Sequence, residues 1–243
     1  VTLDDPAGYG RIVRDDQGKV VAIVEQKDAS ESELAITECN TGIMAMTSAQ
    51  LKRWLPELSS DNAQGEYYLT DVIAMAAAEG IEVATAQPAR PMEVEGVNNR
   101  AQMARLERAY QRDIADGLME KGVALADPDR LDVRGKLTCG HDVFIDVGCV
   151  FEGEVELGEG VRIGPYSVVR NSHVGAESVI EAHSIVDGAV LAGLNQIGPF
   201  ARLRPGSRLA VKAKVGNFVE TKNAEVGEGS KINHLSYVGD ARL

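Results

Sequence analysis

Leu157-Gly-Glu-Gly-Val-Arg-Ile-Gly-Pro-Tyr-Ser-Val-Val-Arg-Asn-Ser-His-Val-Gly175 decides the fold, because an aliphatic residue followed by glycine recurs in it at Leu157-Gly158, Ile163-Gly164 and Val174-Gly175. The pair returns at Ile197-Gly198, Val215-Gly216, Val226-Gly227 and Val238-Gly239. Successive gaps are 6, 11, 23, 18, 11 and 12 residues, a six-residue rule with three single-residue slips. Periods this short mark parallel β-helices, in which each repeat is one strand and one turn. Inward positions are expected at Leu137, Val143, Phe151, Leu157 and Ile163, then at Ile185, Leu191, Ile197, Leu203, Leu209 and Val215. Glycine after an inward residue suits a tight corner. An antiparallel sandwich with similar turn spacing is the minor alternative, and six-residue regularity argues against it.

The sequence upstream reads as mixed α and β. Arg11 to Arg14 and Lys19 to Gln26 are strand-like around a polar turn, Ser48 is placed to cap a helix reaching about Leu55, Leu69 to Ala78 reads as a helix, and Ile81 to Thr85 as a strand. Met103, Leu106, Tyr110, Ile114 and Leu118 recur at helical spacing, predicting a long connecting helix that starts after an asparagine cap at Asn98. The implied organisation is an α/β portion over 1–99, a linker helix over 100–125 and a β-helix over 126–243. Val1 is not methionine and Leu243 stops inside a repeat, so the chain reads as an internal fragment, its β-helix truncated at the C-terminal end.

Bulk composition excludes several classes. Hydrophobic content of 44% is that of a folded globular protein, and no apolar run is long enough to span a bilayer. No secretory signal opens the chain, and Cys39, Cys139 and Cys149 lack metal-type spacing, so reduced thiols in a cytoplasm are expected. A net charge of −12 argues against a nucleic-acid partner. Between Asp187 and Glu220, however, no acid occurs, while Arg202, Arg204, Arg208, Lys212 and Lys214 do. Such a strip fits a small anionic ligand, or equally a solvated or subunit-facing surface.

Three hexads make one coil of a three-sided β-helix. Arg204 and Lys222 are 18 residues apart, each just after an inward position (Leu203, Thr221), so they should stack on neighbouring coils roughly 4.8 Å apart. Two cations so placed repel unless an anion lies between them, and a phosphate is the natural one. Tyr237 falls beside this column one coil on, and His234 on the preceding face of that coil. The plain alternative makes His234 a corner residue and pairs the cations with acids of a neighbouring subunit. His141, His173 and His183 show no such convergence.

The phrases Gly198-Pro-Phe-Ala-Arg-Leu-Arg-Pro-Gly206, Val215-Gly-Asn-Phe-Val-Glu-Thr-Lys-Asn-Ala224 and His234-Leu-Ser-Tyr-Val-Gly-Asp240 resemble one enzyme family. It is the bifunctional bacterial glucosamine-1-phosphate N-acetyltransferase / N-acetylglucosamine-1-phosphate uridylyltransferase family. Asp4-Asp-Pro-Ala-Gly-Tyr-Gly-Arg-Ile12, Val24-Glu-Gln-Lys-Asp28, Asn40-Thr-Gly-Ile43, Asn62-Ala-Gln-Gly-Glu-Tyr-Tyr-Leu-Thr-Asp71 and Glu95-Gly-Val-Asn-Asn99 agree with it too. The resemblance implies an incomplete Rossmann-like nucleotidyltransferase portion, a linking helix and a left-handed parallel β-helix that assembles as a homotrimer. It further implies that Arg204, Lys222 and Tyr237 hold a sugar phosphate while His234 is the general base of acetyl transfer. An imidazole is the side chain that exchanges a proton near neutral pH.

The same resemblance assigns Gly10, Glu25, Asn40 and Asn98 to a uridine nucleotide–sugar, and Asn98 also to Mg²⁺ beside an aspartate this chain lacks. Plainer roles are a turn glycine, an edge charge and a helix cap. The implied substrates are glucosamine-1-phosphate, acetyl-CoA, UTP and N-acetylglucosamine-1-phosphate. The family's glycine-rich nucleotide loop and the later coils of its acetyl-CoA groove are not in this sequence, so the chain alone is expected to be almost inactive. The competing readings are a sugar-phosphate nucleotidyltransferase whose β-helix only oligomerises, a non-catalytic trimeric scaffold, and a histidine metalloenzyme.

Overall fold

The computed structural model describes all 243 residues, which form two compact units, Val1–Arg100 and Ala101–Leu243. In the first, strands β1 (Arg11–Arg14) and β2 (Val20–Val24) pair antiparallel with Arg11 opposite Val24. Helices α1 (Glu31–Leu34), α2 (Ser48–Trp54) and α3 (Asp71–Ala78) follow. A small core gathers Trp54, Val72 and Ala76, and the indole N–H of Trp54 donates to Glu79 at 2.9 Å. The only sheet of this unit is antiparallel, so Rossmann-like order is not visible in it.

Three local expectations need correction. Thr47, not Ser48, caps α2: its hydroxyl accepts from the Gln50 N–H and the Gln50 side chain reaches back, a capping box that outcompetes a cap one residue later. The helix expected from Leu69 starts at Asp71, because Tyr68 to Thr70 form a turn. Ile81 to Thr85 is not a strand. No neighbouring strand offers it a ladder, and Ile81 and Val83 pack instead against the Trp54 cluster.

The second unit opens with α4 (Arg100–Glu120), preceded by Asn99, so Asn98 lies one residue before the cap position. This helix does more than connect. Ala115 and Leu118 are buried in the main core, and the Gln111 amide both donates to the Val133 carbonyl (2.9 Å) and accepts from the Val133 N–H (2.8 Å). Gln111 thereby satisfies backbone groups of a first coil that has no coil beneath it.

The strands then run β3 (Ala124–Leu125), β4 (Leu131–Cys139), β5 (Phe144–Ile145), β6 (Cys149–Leu157), β7 (Arg162–Ile163) and β8 (Val168–Val174). Next come β9 (Val179–Ile180), β10 (Ile185–Asp187), β11 (Val190–Leu191), β12 (Gln196–Ile197), β13 (Arg202–Leu203) and β14 (Arg208–Leu209). The last are β15 (Lys214–Asn217), β16 (Glu220–Lys222), β17 (Glu225–Val226), β18 (Lys231–His234) and β19 (Tyr237–Gly239).

All pairings among β3–β19 are parallel. One face stacks β3, β5, β7, β9, β12, β15 and β18. A second stacks the first halves of β4, β6 and β8 under β10, β13, β16 and β19, and a third stacks their second halves under β11, β14 and β17. This is a parallel β-helix of hexapeptide repeats. Neighbouring coils sit 18 or 17 residues apart, as at Arg134/Glu152 and Glu156/His173, and the 17-residue coils are the single-residue slips of the sequence.

The interior is a column of aliphatic side chains: Ile163, Ile180, Ile197 and Val215 on the first face, and Val169, Val186 and Leu203 on the second, all fully buried. Ile185, expected inward, is only half-buried, and Val186 takes its place. The side from Val186 to Leu191 is one residue short, so counting back six from Leu191 overshoots. Burial pushes the Cys139 and Cys149 thiols up to about 11, and these two and Cys39 are free.

Candidate functional site

On the second face the parallel register builds a charge column. Arg134 lies against Glu152 and Glu152 against Arg170, which in turn lies against Asp187. Register from Val186/Leu203 and Leu203/Thr221 extends the column to Arg204 and then Lys222. Signs alternate through five coils, and Glu152 bridges Arg134 (3.1 Å) and Arg170. Arg170 is the first cause of the Glu152 carboxyl lying below the ordinary carboxylate range. The alternation breaks once, where Lys222 follows Arg204. Like charges on adjacent strands are destabilising, so this break is where the surface calls for an anion.

The position after Lys222 is Gly239. Tyr237 is in register with Glu220 and Arg202, two places before the cation column, yet its ring runs forward along the strand over Gly239. The ring and hydroxyl occupy the space a side chain at position 239 would need. The glycine therefore lets the phenol reach the end of the Arg204–Lys222 column. A groove of about 480 Å³ runs beside it, lined by Phe200, Arg202, Phe218, Glu220, Leu235 and Tyr237 among others.

Two features escaped the sequence reading. The acids that bound the basic strip in sequence return to it in space: the Arg204 guanidinium pairs with Glu220 at 2.9 Å, both side chains about one-third exposed. An exposed ion pair contributes about 0–1 kcal/mol, so Glu220 holds the guanidinium only weakly. Thr221 is fully buried beneath Lys222, its hydroxyl 2.8 Å from that of Ser207, and Ser207 donates to the Arg204 carbonyl at 2.7 Å. The two hydroxyls fix the turn between the cationic strands. A hydroxyl residue at an inward hexad position was the available signal.

His234 does not share this face. It ends β18 opposite Asn217, exposed, and its carbonyl accepts from the Ser236 hydroxyl at 2.9 Å. Leu235 turns the corner, and Tyr237 opens the next face. Arg204, Lys222 and Tyr237 thus come together, with His234 at the adjoining edge. The Glu156 carboxylate lies 3.0 Å from the His173 ring, and His183 stacks in an aromatic row.

In the first unit, Gly10, Glu25 and Asn40 converge. The Asn40 N–H donates to the Gly10 carbonyl at 2.9 Å, and a Cβ on Gly10 would stand 3.3 Å from the Glu25 carboxylate. Thr70 donates to Glu25 at 3.0 Å. Gly96, two residues before Asn98, donates to the Tyr9 hydroxyl at 3.3 Å. Nearby, burial and then the Asp28 charge raise the Asp71 carboxyl above its usual range. No group of three or more His, Cys, Asp or Glu is arranged to hold a metal ion.

The coils and their spacing define the class, a hexapeptide-repeat β-helix protein, and residues 137–171 match the family described as Bacterial transferase hexapeptide (six repeats). Over its whole length the chain is related to proteins called Bifunctional protein GlmU. It is 75% identical over 243 residues to that of Chromohalobacter salexigens, 60% to that of Marinobacter nauticus and 59% to that of Burkholderia multivorans. Each match covers 100% of this chain and 54% of the relative, so the chain spans about half the length of the curated relatives it matches. Among solved structures, the acetyltransferase domain of PglB from Neisseria gonorrhoeae in complex with acetyl coenzyme A aligns at 19% identity and a TM-score of 0.20. That alignment covers 55% of this chain and 61% of the other. No helix is long and apolar enough to cross a membrane.

Proposed function

We propose that this chain belongs to a cytoplasmic bacterial enzyme with two activities. One acetylates glucosamine-1-phosphate with acetyl-CoA, and the other transfers uridylyl from UTP to N-acetylglucosamine-1-phosphate, releasing pyrophosphate. The observation that carries the reading is the single break in the charge column, where Arg204 and Lys222 adjoin with the Tyr237 hydroxyl at their end. The whole-chain identity to the bifunctional proteins supports it.

In this reading the sugar phosphate displaces Glu220 from Arg204. It accepts a forked contact from the guanidinium, a point charge from Lys222 and a hydrogen bond from Tyr237. Fixing the phosphate places the sugar amine toward the Leu235 corner, where the His234 imidazole takes its proton as it attacks the thioester carbon and coenzyme A thiolate leaves. The β-helix is left-handed and its copies form a homotrimer. In the first unit, Gly10, Glu25, Asn40 and Asn98 bind the nucleotide–sugar. Mg²⁺ is the metal such uridylyl transfer employs, and the Asn98 amide oxygen would be one ligand, but no group of three or more acidic or histidine side chains is arranged to hold the ion. The residues present do not form that site by themselves.

The test uses a protein carrying both activities. His234→Ala is expected to lower acetyl-transfer turnover at least 100-fold and to leave uridylyl transfer unchanged. Equal loss of both activities contradicts the assignment. Unchanged acetyl transfer would remove His234 as the base, whereas no acetyl transfer by the parent protein would favour the alternative, a nucleotidyltransferase with a non-catalytic β-helix.

A further inference from the structure

The outward positions of the first face form a column as regular as that of the second. Through the parallel pairings it runs Ala124, Phe144, Arg162, Val179, Gln196, Lys214 and Lys231. The second-face column alternates in sign along most of its length and so neutralises itself. The first-face column holds no acid on any coil, in a chain whose net charge is −12. Arg162 finds a partner in the Phe144 ring, its guanidinium 4.7 Å from the ring centre. Lys214 and Lys231 have no such partner.

These two lysines are Cα partners on the adjacent strands β15 and β18. Neighbouring coils lie about 4.8 Å apart, and like charges set opposite one another are destabilising. Neither ammonium forms an ion pair. Lys231 is exposed, whereas Lys214 is half-buried, its stem held against the coil with less freedom to swing away. Lys212, exposed on the edge two residues earlier, brings a third ammonium to the patch. The next outward row on the same coils is Gly198, Gly216 and Asn233, with no acid to reach across. The carboxylate nearest in sequence, Glu228 in the turn before β18, is exposed and forms no ion pair.

We infer that Lys214 and Lys231, with Lys212, form an anion site on the first face, separate from the Arg204–Lys222 column on the second, and that its ligand is a diphosphate. Charge selects the ligand. At the Arg204–Lys222 column Glu220 already pairs with one cation, so a single phosphate group completes it. On the first face three ammonium groups stand beside one unpaired carboxylate, and two linked phosphate groups match them. Lysines are point charges without a planar fork, so they suit an anion recognised by its charge rather than by a bidentate contact. The Gln196 and Asn233 amides beside the pair can donate to further phosphate oxygens. A free diphosphate and the diphosphate of a nucleotide share this chemistry.

Isothermal titration calorimetry with inorganic pyrophosphate, in magnesium-free buffer at low ionic strength, tests the site. The titrations use the Lys222→Glu chain, so that the second-face column takes no part. Binding is expected there, and it should weaken at least 30-fold when Lys214→Ala and Lys231→Ala are added. With Lys222 intact, the Lys214→Ala/Lys231→Ala variant should bind glucosamine-1-phosphate within threefold of the wild type. ADP in place of pyrophosphate identifies the source. Equal affinity assigns the site to a diphosphate carried on a nucleotide, and much weaker affinity assigns it to the free anion. If the double substitution loses its circular dichroism, Lys231→Gln replaces it, with at least a fivefold loss expected. No pyrophosphate binding by the Lys222→Glu chain, or binding that survives the lysine substitutions, overturns the site. Equal losses for pyrophosphate and glucosamine-1-phosphate also overturn it, since both ligands would then sense overall charge.

Discussion

Lys222→Glu is expected to lower the affinity of this chain for glucosamine-1-phosphate at least 100-fold, measured by isothermal titration calorimetry at low ionic strength. Hydrogen bonds to charged groups contribute about 1.5–3 kcal/mol, and 100-fold is about 2.7 kcal/mol. Reversal also places a carboxylate against Arg204, restoring the alternation that runs through Arg134, Glu152, Arg170 and Asp187. The variant should therefore fold at least as well as the wild type while losing the ligand. Arg208→Glu, on the neighbouring third face, is the control and should change affinity less than threefold. Equal losses from the two substitutions would mean that the ligand senses overall charge rather than this column.

Leu203→Ala is expected to destabilise the β-helix by about 2–5 kcal/mol, the usual cost of deleting a buried leucine side chain. Leu203 is fully buried, lies between Val186 and Thr221 in the interior column, and carries Arg204 as its neighbour. In a coil so narrow, a cavity at one rung has few side chains able to relax into it. Urea unfolding followed by circular dichroism should show the midpoint fall with little change in slope. Ile185→Ala offers a sharp comparison. Counting six back from Leu191 places Ile185 inside, whereas it is half-buried beside a fully buried Val186. A loss below about 1 kcal/mol at Ile185 and a larger one at Leu203 would match the observed register, and the reverse order would contradict it.

The β-helix was legible because its inward positions are fixed by backbone geometry alone. A column such as Ile163, Ile180, Ile197 and Val215 must be aliphatic whatever lies outside it. Where a side is one residue short, the count slipped, as at Ile185, since nothing in the sequence marks a five-residue side in advance. Short-range chemistry decided the other misses. Thr47 and Gln50 form a capping box that a reading centred on Ser48 overlooked, and Ile81 to Thr85 has strand-like composition but no strand to pair with.

The stacking of Arg204 over Lys222 follows directly from spacing. Their partners do not. Glu220 stands in register with Arg202 yet pairs with Arg204, and Tyr237 reaches the column only because position 239 has no side chain. The role of α4 was likewise hidden, because a helix periodicity reveals an apolar stripe but not that Gln111 will satisfy the backbone of Val133. The pairing of Lys214 with Lys231 was hidden for a different reason: their separation falls on a 17-residue coil, one short of the expected 18.

The central claim is that Arg204 and Lys222 grip one and the same phosphate, and a double-mutant cycle asks that directly. Glucosamine-1-phosphate affinity would be measured for the wild type, Arg204→Ala, Lys222→Ala and the double variant. A shared anion predicts a coupling of at least about 1 kcal/mol between the two substitutions. Effects that add to within about 0.3–0.5 kcal/mol would show two independent sites and contradict the account.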